Sequence, residues 1–487
     1  MNDKHYRMLI DGQWVDGDNG TTAIINPANG TVVGHAPEAS VTQAAQAAAA
    51  AKAAFKSWSR TPAAERGRLL NLVADRLIER QADLVPLIIS ETGATVLVGS
   101  RMQVPVAIDR FRFYGGAATK DLRIPLAPVT QAATPLAPGG LISAVVNRPP
   151  VGVVACISPY NFPVVNVAGK IAPALAVGCT VVIKPASQDP LAVIELVEIM
   201  HEVGFPPGVI NIITSAATEP AAELTTHPAI DMVSFTGSTT IGQRIAQAGA
   251  PTMKRMLLEL GGKGAGIVFG DANVPAAVGA IGSVWSFHSG QICTAPTRAI
   301  VHSSIYQQVV DTLGGYARNL KVGDPTSMDT IVGPVISGIQ RDRIEAHIAA
   351  GVTQGAELVV DGRRPDGLDA GFFVAPTLLA GCRPEMTPVQ EEVFGPVVVV
   401  LPFDDEDEAI DIANGTDFGL YDYVFSADSE RAMRVASQLR SGNVGINTAQ
   451  RNHATPFGGF KLSGVGRDGG EFGLLCYTEM QSVVWPG

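Results

Sequence analysis

The chain has 487 residues, 46% of them hydrophobic and 17% charged, with a formal net charge of −11. So long a chain outgrows one ordinary core and predicts two or three domains. The acidic balance excludes nucleic acid and an anionic membrane surface as main partners, and no uncharged apolar run approaches the roughly 18 residues of a membrane span.

Residues 1–8 show neither the apolar stretch nor the cleavage site of a signal peptide. Residues 8–15 read as a strand broken at Asp11-Gly12, and Asn26-Pro27-Ala28-Asn29-Gly30 as a turn. The alanine-rich segment 41–58 predicts a helix. Thr61-Pro62 predicts the cap and first residue of a second, ending near 80, in which Leu69, Leu70, Val73, Leu77 and Ile78 fall at helical spacing. A third helix is predicted over 82–91. Prolines at 125, 128, 135, 138, 149 and 150 punctuate short apolar runs, which predicts extended segments leaving and rejoining a domain.

From 152 to 249, apolar strands (153–157, 180–183, 209–213, 232–235) alternate with helices (166–176, 191–203, 220–226, 239–248). Continuous apolar strands in this alternation predict a doubly wound parallel sheet, with ligands at the carboxyl ends of its strands. Alternation resumes with helix 273–287, strand 298–302, helices 305–319 and 339–354, strand 397–401, helices 406–414 and 429–439, and strand 444–446. This predicts a second α/β domain. Residues 479–485 read as a strand able to pair with the proline-punctuated segment.

The five cysteines, at 156, 179, 293, 382 and 476, are odd in number and scattered. That pattern fits neither a disulfide framework nor a CxxC metal site; no metal is expected, and a reducing cytoplasm is. Cys293 alone follows a Gly-Gln turn between a helix and a strand, where a thiol can meet a substrate and its backbone N–H an oxyanion. Otherwise it is a small buried hydrophobe. Phe235-Thr236-Gly237-Ser238 leaves a strand and opens a helix, a cradle for a pyrophosphate or simply a Gly-Ser cap. Glu259-Leu260-Gly261-Gly262-Lys263 places a carboxylate where it can activate water, or merely in an exposed turn. Pro159-Tyr160-Asn161-Phe162-Pro163 ends a strand with an amide suited to an oxyanion, or to a turn.

Together, and in order, these stretches resemble the aldehyde dehydrogenase superfamily over essentially the whole chain. Lys184-Pro185, Gly290-Gln291-Ile292-Cys293, Glu392-Val393-Phe394-Gly395-Pro396 and Pro456-Phe457-Gly458-Gly459-Phe460-Lys461-Leu462-Ser463-Gly464 complete the match. The resemblance implies oxidation of an aldehyde to a carboxylic acid with NAD(P)+. Cys293 is then the nucleophile, favoured as thiolate by an electropositive site, Asn161 the oxyanion donor beside the Cys293 N–H, and Glu259 the base for the hydrolytic water. Lys184 and Glu392 hold the cofactor riboses, Phe394 packs near the nicotinamide ribose, and Gly237 and Ser238 meet the pyrophosphate. Ile157, Ser187, Phe235, Ile241, Leu260 and Gly261 join the cofactor site; Phe162, Gly169, Ile292, Thr294, Arg451 and Phe457 line the substrate pocket. The implied fold has a dinucleotide-binding domain (1–127 and 148–258), a catalytic domain (259–468) and a small β oligomerisation arm (128–147 and 469–487), serving a homodimer or homotetramer.

The chain departs from the family pattern in places. Tyr160 replaces a usual tryptophan, and Ser215-Ala216-Ala217 replaces a glycine-bearing turn. Ser187 stands where many members that prefer NAD carry glutamate, so use of both NAD and NADP is expected. Gly169 replaces a bulky aromatic residue, which predicts a wider pocket, and Gln450-Arg451-Asn452-His453 makes that pocket polar, with Arg451 able to pair with a substrate carboxylate. Three alternatives stand beside this reading. One is a CoA-acylating relative, a branch that typically lacks Glu259. Another is a catalytically silent relative with a structural role. The third is an unrelated cysteine hydrolase using His288.

Overall fold

In the computed structural model, which describes residues 4–487, the central strand of the first sheet is Val153–Ile157, buried along its whole length. Burying each such valine or isoleucine contributes about 1.5–3 kcal/mol, and helices on both faces are needed to collect it. Six strands lie in the order Gly464–Val465, Arg255–Glu259, Met232–Thr236, Val153–Ile157, Thr180–Lys184, Ile210–Ile212. All run parallel except Gly464–Val465. From the centre the chain winds outward through Thr180–Lys184 and Ile210–Ile212, then returns to the other side at Met232–Thr236. The switch point is therefore the gap between the carboxyl ends of Val153–Ile157 and Met232–Thr236, where a ligand fits between diverging loops.

The second sheet has seven strands: Glu357–Val360, Thr377–Ala380, Val397–Phe403, Arg298–His302, Ala265–Val268, Tyr421–Phe425 and Asn443–Ile446, parallel but for the first. Buried Arg298 ties it together. Its guanidinium donates to the carbonyls of Lys263 (2.9 Å), Ile412 (2.8 Å) and Ala413 (2.8 Å). It thus pins the segment entering the sheet to the carboxyl end of helix Glu406–Asn414, where a cation is favoured. A third, antiparallel sheet joins Ile124–Gln131, Gly140–Asn147 and Gln481–Pro486, so the carboxyl-terminal strand does pair with the proline-punctuated segment.

Helix Val41–Trp58 and strand Val153–Ile157 lie where the sequence placed them. Asp11 (φ 51°) and Gly12 (φ 75°) turn a tight hairpin between Met8–Ile10 and Gln13–Val15 rather than merely breaking one strand. Pro62 caps Ala63–Glu79 instead of opening it. Helix Val104–Ala117 escaped the sequence reading because Pro105 and a Gly-Gly pair at 115–116 disguise it. The proline stands in the first turn, where its missing N–H costs nothing. A Cβ at Gly115 would press on the Asn71 side chain at 2.9 Å. Arg255–Glu259 and Ala265–Val268 were also missed; the glycines between them obscure two short parallel strands.

Candidate active site

The reactive centre forms where the chain leaves the carboxyl edge of the first sheet and enters the second. Glu259 ends one strand and Ala265 begins the next, and the glycines between them allow close main-chain approach. A Cβ at Gly262 would collide with the Cys293 carbonyl oxygen, and one at Gly264 would come within 2.7 Å of the carbonyls of Ala295 and Tyr421. Segments 259–264 and 293–297 therefore lie backbone against backbone.

Cys293 is half-buried after a strained turn. His288 and Ser289 both take left-handed φ (49° and 56°), and Gly290 (φ 69°) has no room for a side chain against the Gly395 carbonyl. The turn is held in place. Ser289 Oγ donates to the Gly333 carbonyl at 2.7 Å, and Gln291 Oε1 accepts the Ile336 N–H at 3.0 Å. His288 Nε2 bonds the Asn161 carbonyl at 2.7 Å, and Gln103 Nε2 donates to that oxygen at 3.2 Å. Burial pushes the His288 pKa down to about 4, so at neutral pH a neutral ring donates Nε2–H to Asn161. This engagement commits Nε2 to positioning Asn161 and leaves Nδ1 as the ring's basic nitrogen. The buried Asn161 amide donates from Nδ2 to the Gln291 carbonyl at 2.8 Å, fixing it beside the thiol.

Glu259 is buried, and neither carboxylate oxygen has a hydrogen-bond partner in the protein. Gly458 (φ 151°) makes room for it, since a Cβ there would stand 2.8 Å from Oε1. Burial, then the charge of Asp468, holds its pKa well above the usual carboxylate range, opposed by Lys170, Arg467 and Arg451. With no protein partner, this carboxyl has both oxygens free for water, the position a general base needs once it is ionised.

A cleft of about 170 Å³ contains Cys293 and Asn161 and runs to the switch point at Gly237 and Ser238. Ser238 precedes helix Thr239–Gly249 without using its side chain as a cap, so hydroxyl and helix N–H groups remain for an anion. Leu260, Gly261, Glu392 and Phe394 line the same cleft. Glu392 Oε1 accepts the Gly262 N–H at 2.9 Å, and burial raises its pKa to about 7. Tyr160 meets Phe394 edge to face, ring centroids 5.8 Å apart. Phe394 is itself left-handed (φ 53°), held by Gln340 Nε2 bonds to the carbonyls of Val393 (3.1 Å) and Phe394 (2.9 Å). Gln340 and Arg343 complete the lining; sequence reading missed both, because a helix-face Gln and Arg carry no local signal. Ile157 and Phe235 are buried at strand ends, Ile241 is 40% exposed, and Lys184 and Ser187 lie outside the cleft's lining.

A second cavity, of about 300 Å³, shares no lining residue with the first and holds Arg451 and Phe457. Phe162 packs on His288 at 5.0 Å instead, and Ile292 and Thr294 line neither cavity; the Thr294 carbonyl accepts the Tyr423 hydroxyl at 3.0 Å. Gly169 does not widen the pocket as expected. The Arg110 guanidinium fills the space of its missing side chain so completely that any Cβ would collide with Nη1.

Known proteins resemble this chain over nearly its whole length. The aldehyde dehydrogenase family model covers residues 14–483. The chain belongs to the aldehyde dehydrogenase family. It is 38% identical over 485 residues to 3-succinoylsemialdehyde-pyridine dehydrogenase of a Pseudomonas species, covering 99% of each chain. It is 37% identical over 488 residues to the chloroplastic betaine aldehyde dehydrogenase of Beta vulgaris, covering 98% of this chain and 96% of that one. The betaine aldehyde dehydrogenase of Staphylococcus aureus, solved in complex with NAD+, superposes with a TM-score of 0.92 at 38% identity, over 98% of this chain and 94% of that one. Like its family, the enzyme oxidises an aldehyde through a catalytic cysteine.

For this aldehyde dehydrogenase the expected electropositive surroundings of Cys293 are not found. Burial, then the carboxyls of Glu392 and Glu259, push its thiol up to about 12, with only Arg451 and its own backbone N–H opposing. The ligand-free enzyme therefore holds a thiol at neutral pH. Since the thiolate is the reactive form, its alkylation by iodoacetamide is expected to quicken about tenfold per pH unit from 7 to 10 without a plateau. A plateau below pH 8 in the rate of inactivation would show a low-pKa cysteine instead.

Proposed function

We propose that Cys293 is the nucleophile of an NAD(P)-dependent oxidation of an aldehyde to its free acid. The observation that carries this is the shared cleft, which joins Cys293 and Asn161 to the helix start at Ser238, with the unpartnered Glu259 carboxyl close by. When bound, the oxidised nicotinamide dinucleotide supplies the hydride acceptor. Gly237 and Ser238 would hold its pyrophosphate, Glu392 and Lys184 its riboses, and Phe394 the nicotinamide end, with Ile157, Phe235, Ile241, Leu260 and Gly261 around them; we add Gln340 and Arg343. The Cys293 thiol gives up its proton to water as its sulfur adds to the aldehyde carbon, and Asn161 Nδ2 and the Cys293 N–H stabilise the oxyanion. Loss of hydride leaves a thioester on Cys293. Glu259 takes a proton from water as the water attacks, and the departing sulfur regains a proton. Retention of Glu259 disfavours an acylating enzyme, and the intact trio disfavours a silent one.

Cys293→Ala is expected to abolish oxidation while cofactor binding persists, as seen by nicotinamide fluorescence. Asn161→Ala should lower kcat on the order of a hundredfold, the scale of one oxyanion donor. In Glu259→Gln a pre-steady-state burst of reduced cofactor should survive while steady turnover falls; an equal loss of both would place Glu259 earlier in the reaction.

Both NAD and NADP should serve. Glutamate at position 187 would face a 2′-phosphate with a like charge, costing roughly 4 kcal/mol at about 4 Å and an effective dielectric near 20. Ser187 lacks that charge. The Glu38 charge, which reaches Lys184, keeps NAD competitive. We expect kcat/KM values for the two cofactors within about a hundredfold, or roughly 2.7 kcal/mol, and Ser187→Glu to depress NADP use far more than NAD use. Undetectable NADP turnover in the unmodified enzyme would refute this.

We assign residues 1–127 with 148–258 to cofactor binding, 259–468 to catalysis, and 128–147 with 469–487 to assembly. Strand Gly464–Val465 belongs to the first sheet although it lies in the catalytic span. The antiparallel arm exposes Leu126, Val129, Val484 and Trp485, an apolar surface suited to a second copy in a homodimer or homotetramer. Deleting residues 480–487 is expected to yield smaller species on size-exclusion chromatography with light scattering; an unchanged mass would exclude the arm. The five free cysteines agree with a reducing cytoplasm.

A further inference from the structure

The cavity of about 300 Å³ beside the reactive centre presents two guanidinium groups with incomplete pairing. Arg451 lies over the Phe457 ring at 4.3 Å and Tyr421 at 5.8 Å, and among the described residues it forms no ion pair. Stacking uses the flat face of the guanidinium and leaves its N–H edge for a ligand. Arg110 comes from helix Val104–Ala117 and crosses over Gly169, which must be glycine to admit it. Nη1 donates to the Val165 carbonyl at 3.1 Å, and Asp468 stands 3.9 Å away, with one of its carboxylate oxygens already taking the Gly469 N–H at 2.7 Å. Arg451 and Arg110 line this one cavity together with His453 and Asp109. The cavity wall abuts the reactive centre: Phe457 precedes Gly458, where a Cβ would stand 2.8 Å from Glu259 Oε1, and the Tyr421 carbonyl packs on Gly264 beside that of Ala295. Phe113, Tyr421 and Phe457 give the intervening wall an apolar surface.

Resting on the reading of Cys293 as the nucleophile, we propose that this cavity selects an aldehyde carrying a carboxylate. Arg451 and Arg110 bind the carboxylate while a short apolar spacer crosses the aromatic wall and delivers the aldehyde carbon to Cys293. The flat two-oxygen anion suits the planar donor edge of Arg451. The carboxylates of Asp109 and Asp468 make the opposite choice, a cationic aldehyde, the natural competitor, and the test includes it.

With NAD as cofactor, kcat/KM is measured for 4-oxobutanoate, butanal and trimethylammonioacetaldehyde. The oxoacid is expected to exceed butanal by roughly 10- to 100-fold, mostly through KM, the usual yield of hydrogen bonds to a charged group. That ratio should fall by a similar factor in Arg451→Gln and in Arg110→Gln, and recover in part in Arg451→Lys. Calorimetric binding of succinate, which needs no turnover, should be measurable in the unmodified enzyme and weakened in Arg451→Gln. Butanal or the cationic aldehyde matching the oxoacid, a ratio unmoved by Arg451→Gln, or absent succinate binding would overturn the inference and leave the oxidation mechanism standing. Failure to oxidise any of the three aldehydes would instead strike the mechanism, with succinate binding still deciding the anion site.

Discussion

The contact on which this structure depends is one between main chains. Residues 259–264 and 293–297 pack so closely that Gly262 and Gly264 tolerate no Cβ. The first segment carries Glu259 at the end of one sheet; the second carries Cys293 into the middle of the other. A shared backbone contact fixes the distance between Glu259 and Cys293 more firmly than paired side chains would, because each segment is anchored by a sheet ladder. Arg298 reinforces the arrangement by binding the Lys263 carbonyl from within the second sheet.

The same closeness sets the electrostatics. Burial disfavours every charged form here, so the carboxyls of Glu259 and Glu392 and the Cys293 thiol all hold their protons more tightly than in water. An acid-rich, desolvating centre keeps Cys293 as the thiol until something positive arrives near it. Asn161 adds no charge. Its contribution is position, and His288, neutral because it is buried, helps to supply that position through the Asn161 backbone carbonyl. The strain of two consecutive left-handed residues at 288 and 289 is offset by those bonds.

Much of this was legible in the sequence because strong local patterns coincide with the chemistry. The alternation from 152 to 249 gave the parallel sheet, and its winding order then placed Asn161 and Ser238 at one switch point. Cys293 was marked by its Gly-Gln turn and Glu259 by its glycines. Strands Arg255–Glu259 and Ala265–Val268 were hidden by those same glycines, which read locally as a turn while serving the close approach. Arg343 and Gln340 were illegible for another reason: they reach the cleft from a helix far along the chain, and nothing in their neighbourhood announces it. The environment of the thiol was misjudged because the carboxyls that raise its pKa, Glu392 and Glu259, come from distant segments.

Gly169 shows how a small residue misleads when the chain is read one position at a time. Its lack of a side chain suggested empty space, yet protein interiors are close-packed and a gap of side-chain size invites a neighbour. Helix Val104–Ala117, itself unseen in the sequence, supplies that neighbour in Arg110. The apolar bulk expected at the missing side chain is thereby replaced by a cation, and the character of the cavity changes from width to charge. Because the two cavities share no lining residue, this change leaves the lining of the Cys293 cleft untouched. At Cys293 and Glu259 the Arg451 charge counters the surrounding acids. An anion bound to Arg451 would weaken that countering field.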